Sequence, residues 1–232
     1  MRRTARIAGL LYLLMAVFSA FGTIYVPSRL FVPGDAAATA NSVMASMWLL
    51  RLGFVSDLVA QALFLFLVLT LYRLLKTVAE HQARLMVILV VASVPVTCLN
   101  LLNEIGPILL LGGAGYLKAF EPAQLQALAM VFLDLRAWGI LIAQIFWGLW
   151  LLPLGFLVLR SGYFPRALGV LLMIACFGYL IGCLVSFLLP SYGGMVTPIA
   201  GAVSAVGEIA FLLWLLIKGA KLQRGYALPA SA

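Results

Sequence analysis

Long apolar runs, separated by short polar segments, dominate the pattern of the chain. Each run has about 20 residues or more, the length that an α-helix needs to cross a hydrocarbon core about 30 Å thick. A membrane β-strand would instead alternate apolar and polar residues over about ten positions. The pattern predicts an all-α, polytopic membrane protein built as a bundle of six transmembrane helices. The predicted spans are residues 7–26, 48–72, 85–111, 124–159, 164–189 and 196–217.

Two alternatives change the number of spans. The first run could be a cleaved signal peptide, which would leave five, although its apolar stretch exceeds the roughly 7–15 residues usual for such a segment. The fourth run is over-long, and splitting it would give seven. The longest polar loop, residues 27–46, is too short to bury a core of its own. We therefore expect residues 1–232 to form a single transmembrane helical domain.

Composition and charge agree with a membrane protein. Apolar residues make up 65% of the chain and charged residues 9%, a balance that does not suit the surface of a soluble domain. The net charge of +8 does not form a nucleic-acid-binding patch, because the basic residues gather at alternate ends of the spans. The residues on the basic side are Arg2, Arg3, Arg6, Arg73, Lys76, Arg84, Arg160, Arg166, Lys218, Lys221 and Arg224.

This charge distribution predicts that both termini are cytoplasmic, because cytoplasmic loops carry the excess of Lys and Arg. The predicted location is the cell membrane, as a multi-pass protein. The lipid bilayer is the predicted partner and nucleic acid is not. The sequence leaves open whether the protein forms a homo-oligomer and whether it binds a small-molecule or lipid ligand.

Polar side chains inside the apolar runs are the candidate functional residues, because a charge near the centre of a membrane helix costs at least about 2.5–3.5 kcal/mol. Such residues are normally paired, hydrated or functional. The candidate ligand-binding residues are Arg51, Asp57, Asn100, Glu104, Asp134, Arg136 and Glu208.

Counting 1.5 Å per residue from the nearest basic anchor gives each candidate a depth. Glu208 lies about 15 Å along its helix, near the midplane, and Asp57 and Asn100 lie at about 24 Å. Glu104 comes to about 30 Å, at the outer boundary, and Arg136 to about 36 Å. The over-long fourth span must therefore protrude, tilt or bend, and Pro153 offers a kink.

Two functions fit these depths. One is a polar funnel open to the outside, with Arg51, Glu104, Asp134 and Arg136 at its mouth, that binds or transports a small molecule, an ion or a lipid. The other is a sensory or regulatory membrane subunit in which Arg51 and Arg136 pair with the acids to fix helix docking. Asp134 and Arg136 are two residues apart and face differently, so Glu104 is the candidate partner of Arg136.

No catalytic or cofactor motif appears. A single histidine, His81, rules out a bis-histidine haem and makes a metal site there improbable. The chain has no P-loop, no G-x-S-x-G and no H-E-x-x-H. We therefore expect no cofactor, no resident metal and no catalytic residues, and the sequence favours a protein that is not an enzyme.

Several motifs resemble one family along nearly the whole chain. They are Arg6-x-x-Gly9-x-x-Tyr12-Leu13, Pro33-Gly34-Asp35, Arg51-Leu52-Gly53-Phe54, Phe132-Leu133-Asp134, Arg160-Ser161-Gly162-Tyr163-Phe164-Pro165-Arg166 and Glu208 with Leu213-Trp214-Leu215-Leu216. Together they resemble the bacterial membrane family called domain of unknown function 4386. The resemblance implies a multi-spanning fold and a location in the bacterial plasma membrane, and it offers no activity.

The predicted orientation can be tested by labelling single cysteines in intact cells. Lys118→Cys should react with a membrane-impermeant thiol reagent added outside, and Lys76→Cys should react only after the membrane is opened. The three native cysteines are replaced in both variants to remove background. Labelling of position 76 from outside would invert the topology.

Overall fold

The computed structural model describes residues 1–220, and within that range the regular structure is helical throughout. The α-helices are α1 (Arg2–Ala20), α2 (Val26–Leu30), α3 (Ala36–Ala45), α4 (Met47–Leu75), α5 (Glu80–Asn100), α6 (Leu102–Leu111), α7 (Pro122–Leu149), α8 (Leu151–Ser161), α9 (Arg166–Leu188) and α10 (Pro190–Ile217). A π-helical turn, Phe21–Tyr25, joins α1 to α2, and a 3₁₀ turn, Gly115–Ala119, precedes α7.

Six helical segments within residues 1–220 are long and apolar enough to cross a membrane. Spans 1 to 6 are Arg2–Leu30, Met47–Leu75, Glu80–Leu111, Pro122–Ser161, Arg166–Leu188 and Pro190–Ile217. The predicted all-α bundle of six spans is confirmed. Each span contains most of its predicted run, with ends that differ by up to six residues. The predicted cytoplasmic C terminus, with Lys221 and Arg224, lies outside the described residues.

The outer surface of the bundle is apolar, as contact with lipid requires. Phe66, Ile88 and Leu99 each expose 60% or more of their surface, and each lies within a span. Large exposed apolar surface is rare on soluble proteins. These helices therefore imply a lipid bilayer environment and a multi-pass membrane protein.

Three spans are interrupted. Span 1 contains the π-helical turn Phe21–Tyr25, and span 3 breaks at Leu101. Span 4 breaks at Trp150, three residues before Pro153, the residue at which the sequence predicts a kink. Proline lacks an N–H and its ring clashes with the carbonyl four residues earlier, which places the disruption at Leu149, beside the observed break. Span 4 is one 40-residue segment in two helices.

The core contains both large aromatic side chains and glycines that let helices pack closely. Trp150 is 1% exposed, with its ring 6.2 Å from that of Tyr12 and 5.1 Å from that of Phe64. Helices α8 and α9 approach closely at Gly155 and Gly169, where a Cβ on Gly169 would lie 2.7 Å from the Gly155 carbonyl oxygen. Small residues permit such close backbone approach in membrane bundles.

We expect Gly169→Ala to destabilise the bundle by about 1–3 kcal/mol, because the added methyl must push α8 and α9 apart. Gly201→Ala is the matched control, since Gly201 is also within a helix but nothing lies within 4 Å of its added Cβ. The control should be neutral or stabilising, as alanine is the better helix former. Equal unfolding free energies for the two variants in mixed micelles would contradict the close crossing.

Candidate functional site

A buried arginine joins four spans. Arg136, on α7, donates through Nε to Glu104 Oε1 on α6 and through Nη2 to Asp57 Oδ2 on α4, at 3.3 Å. The same Nη2 donates to the backbone oxygen of Gly22 in span 1, also at 3.3 Å. We call Arg136, Glu104, Asp57 and the Gly22 carbonyl the arginine centre. Its three side chains are only 2–5% exposed.

The π-helical turn makes the Gly22 carbonyl available. In this turn the Val26 N–H donates to Phe21 O, five residues back, instead of to Gly22 O as an α-helix would require. The next residue in the π pattern that could donate to Gly22 O is Pro27, which has no N–H. Gly22 O therefore lacks a backbone donor and accepts from Arg136. A Cβ on Gly22 would also overlap the Asp57 carboxyl.

Neighbouring polar groups hold the arginine centre in place. Asn100 Nδ2 donates to the backbone oxygen of Arg136 at 3.0 Å, and Asn103 Nδ2 donates to Asn100 Oδ1 at 3.0 Å. Thr23 Oγ1 donates to Asp57 Oδ1 at 3.3 Å. These bonds fix Asp57 and the Arg136 backbone from two different helices.

The arginine centre is not balanced in charge. One guanidinium faces two carboxyl groups, so full ionisation would leave one net negative charge in the interior. Glu104 Oε2 is buried and has no hydrogen-bond partner among the described residues. An uncompensated buried charge is costly. One more positive charge, from a proton or from another cation, would balance the centre.

A second acidic centre lies at Glu208. Tyr12 donates its hydroxyl to Glu208 Oε2, and Tyr179 donates to Glu208 Oε1 at 2.7 Å. Within residues 1–220 no cationic side chain pairs with this carboxyl group. The two phenols supply hydrogen bonds but no compensating charge.

Glu208 faces a cavity of about 120 Å³, which we call the Glu208 cavity. Its walls are largely aromatic, from Phe64, Trp147, Trp150 and Tyr179. A smaller cavity lies against the arginine centre and has about 10 Å³ of free space. Both cavities are lined by Ser19, Gln61 and Trp147, so these residues separate the two acidic centres.

Five of the seven candidate residues belong to the two acidic centres. Asp57, Asn100, Glu104 and Arg136 come together at the arginine centre, including the expected neighbours Arg136 and Glu104. Glu208 stands at its own centre.

Arg51 and Asp134 do not join either centre. Both are exposed, and neither makes an ion pair or a side-chain hydrogen bond with a residue in the described part of the chain. The structure therefore does not bring the four charged residues of the expected mouth together. Arg51 and Asp134 lie on faces of their helices that are turned away from the bundle interior.

Several residues of the two centres are not predictable from the sequence alone. The sequence does not identify Tyr12 and Tyr179 as partners of Glu208, and it gives no indication of a role for Gly22 or Thr23. A signal was present for Tyr12, which lies six residues into the apolar part of span 1 rather than at its edge. Among residues 1–220 no group of three or more His, Cys, Asp or Glu side chains could hold a metal ion.

Fold and site together define a multi-pass helical membrane protein with one buried and one half-buried acidic centre. Residues 7–219 match the family described as Domain of unknown function (DUF4386), and the chain belongs to that family. The resemblance noted from the motifs is thereby confirmed.

A stretch of 88 residues is 42% identical to a protein of Archaeoglobus fulgidus described as "Uncharacterized protein". The match covers 38% of this chain and 51% of the relative, so the chain spans about half the length of the curated relative it matches. No solved structure matches.

The arginine centre predicts a large difference between two arginines. Arg136→Gln should destabilise the protein by about 3–5 kcal/mol, because it leaves two buried carboxyl groups without their cation. Arg51→Gln, the matched control at an exposed position, should change the unfolding free energy by less than about 0.5 kcal/mol. Comparable effects for the two variants, measured by unfolding in mixed micelles, would count against the centre.

Proposed function

We propose that this membrane protein binds a small organic cation, such as a protonated amine, in the Glu208 cavity, and that it does so as a carrier or receptor. The observation that supports this most strongly is a half-buried carboxyl group with two phenol donors and no compensating cation among the described residues, at the edge of an aromatic cavity. A ligand ammonium group would supply the missing charge.

Aromatic walls favour the same class of ligand. Trp147, Trp150 and Phe64 surround the space beside Glu208, and a cation over an aromatic face gains about 0.5–2 kcal/mol, with tryptophan the best partner. The apolar ring surfaces would also accept a short alkyl group. Together with the carboxyl group, they suit a ligand with one charged end and one apolar end.

The size of the cavity limits the ligand. A cavity of about 150 Å³ holds a benzene molecule, and the Glu208 cavity has about 120 Å³. The ligand is therefore about the size of a four- or five-atom alkylamine, well below drug size.

The predicted topology gives the cavity a direction. The residue count along the helices predicts that Glu208 lies near the midplane and Asp57 in the outer half. In the structure, Ser19, Gln61 and Trp147 lie between the two cavities. We propose that a ligand path leads from Glu208 past Gln61 toward the outside. The proposed path is narrower than the funnel expected from the sequence. It passes Gln61 rather than Arg51.

A second candidate function rests on the arginine centre. Its charges pair with one another across three spans, as expected for a sensory or regulatory subunit whose buried charges are structural. In that case the Glu208 cavity would have no ligand, and Glu208 with its two tyrosines would only fix α1, α9 and α10. Assembly of the protein as a homo-oligomer stays a prediction under either function.

Ligand titration separates the two functions. Purified protein is titrated with propylammonium chloride and, in parallel, with propanol, which has nearly the same size and no charge. The tryptophan fluorescence, sensitive to Trp147 and Trp150, should respond to propylammonium and not to propanol. Glu208→Gln should weaken the response at least about tenfold, because it removes a charge-assisted hydrogen bond.

Asp134→Asn is the matched control, since it removes an exposed acid from a span. It should respond like the wild type. Equal responses to the amine and the alcohol, or an undiminished response in Glu208→Gln, would contradict the proposed cation site. No response in any variant would favour the regulatory function.

A further inference from the structure

We infer that the small cavity beside the arginine centre binds one small monovalent inorganic cation, with Asp57 as its charged ligand. This cation site shares a wall with the Glu208 cavity at Ser19, Gln61 and Trp147, but it does not include Glu208 and does not rest on the proposed function. It is formed where spans 1, 2, 3 and 4 meet. Six of its ten lining residues carry a side-chain oxygen, and Arg136, already paired with Asp57 and Glu104, also lies along the wall. The oxygen-bearing residues along its wall are Ser19, Thr23, Asp57, Gln61, Thr97 and Asn100.

The space suits a single ion without its water shell. The cavity has about 10 Å³ of free space, and one water molecule needs about 10–15 Å³ by the same kind of measure. An organic cation does not fit into that volume. Hard cations prefer oxygen ligands from carboxylates, amides and hydroxyls, which are the groups that line this cavity.

Charge counting favours an ion of charge +1. Arg136 faces both Glu104 and Asp57, so one positive charge is missing from the arginine centre. A divalent ion would replace an excess negative charge with an excess positive one. Asp57 is the more weakly held of the two acids, because its contact with Arg136 is 3.3 Å long, and Asp57 rather than Glu104 lines the cavity.

The side-chain oxygen of Gln61 also supports a bound cation. Gln61 is 8% exposed, lines the cavity, and has its side-chain oxygen Oε1 buried with no hydrogen-bond partner among the described residues. A buried polar atom without a partner costs about 1–3 kcal/mol. Coordination of a cation would satisfy the Gln61 oxygen and the excess charge of Asp57 together.

The backbone around the cavity is irregular on two sides. Span 1 has its π-helical turn at Phe21–Tyr25, which includes Thr23, and span 3 breaks at Leu101, directly after Asn100. Both Leu101 and Asn100 line the cavity. Interrupted helices supply cation ligands in membrane transporters, because their carbonyl groups are released from the helical pattern.

Melting temperatures in two salts test the site. Wild-type protein is compared in NaCl and in CsCl at equal ionic strength and fixed pH, since caesium is too large for the cavity. We expect a higher melting temperature in NaCl, rising with sodium concentration until it saturates. Asp57→Asn should fold, because Glu104 and Arg136 are then balanced, and its melting temperature should be the same in both salts.

Two further variants sharpen the assignment. Gln61→Met keeps the side-chain length but removes the amide oxygen, so the sodium effect should shrink. Glu208→Gln, which lies outside the cation site, should keep the wild-type sodium effect.

Three results would overturn the inference. One is an equal melting temperature of the wild type in NaCl and CsCl at every concentration. Another is a sodium effect that survives in Asp57→Asn or disappears in Glu208→Gln. The third is a stability that follows pH at fixed sodium but not sodium at fixed pH, which would make a proton the balancing charge.

Discussion

The guanidinium of Arg136 is the constraint on which the interior of this bundle depends. A charged side chain buried away from water is costly unless it is paired and hydrogen-bonded, and this one is only 5% exposed. It is accommodated because three other spans each supply an acceptor: Gly22 O, Asp57 and Glu104. The local features nearby follow from that need, including the π-helical turn, the proline at position 27 and the glycine that leaves room for Asp57.

The two acidic centres solve the problem of a buried carboxyl group in different ways. Asp57 and Glu104 share one cation, whereas Glu208 has two tyrosine hydroxyls and no cation among the described residues. In both cases the protein's own groups leave a negative charge incompletely balanced. A hydrocarbon surrounding makes that imbalance costly, and this cost is the basis for proposing a positive partner at each centre. The proposed partners differ, an organic cation beside Glu208 and a bare ion beside Asp57, because the adjoining cavities differ in size.

The six spans could be predicted because length and apolarity alone decide whether a helix crosses the membrane. The outer-half position of Asn100, Asp57 and Arg136 stays a prediction. Helical spacing made Asp134 an unsuitable partner for Arg136 and left Glu104 as a candidate, and the structure pairs Arg136 with Glu104. The exposure of Arg51 and Asp134 could not be predicted, because counting residues gives a height along the helix and not the direction in which a side chain points. That direction depends on how the helices pack, which a single sequence does not reveal.

Other parts of the site were hidden for chemical reasons. Tyr12 and Tyr179 look like ordinary aromatic residues of a membrane helix, since tyrosine is common both in cores and at membrane surfaces. Gly22 acts through its backbone oxygen, and a sequence does not show that a π-helical turn and Pro27 leave that oxygen free. The break near Pro153 was predictable from proline chemistry, whereas the break at Leu101 has no comparable signal.

A double-mutant cycle between Arg136 and Glu104 tests most directly whether this ion pair holds the bundle together. The free energy of unfolding in mixed micelles is measured for the wild type, Arg136→Gln, Glu104→Gln and the double variant. If the two side chains interact as the structure shows, the double variant should be more stable than the sum of the single effects predicts, with a coupling energy of about 0.5–3 kcal/mol. Additive effects, within about 0.3–0.5 kcal/mol, would contradict the account.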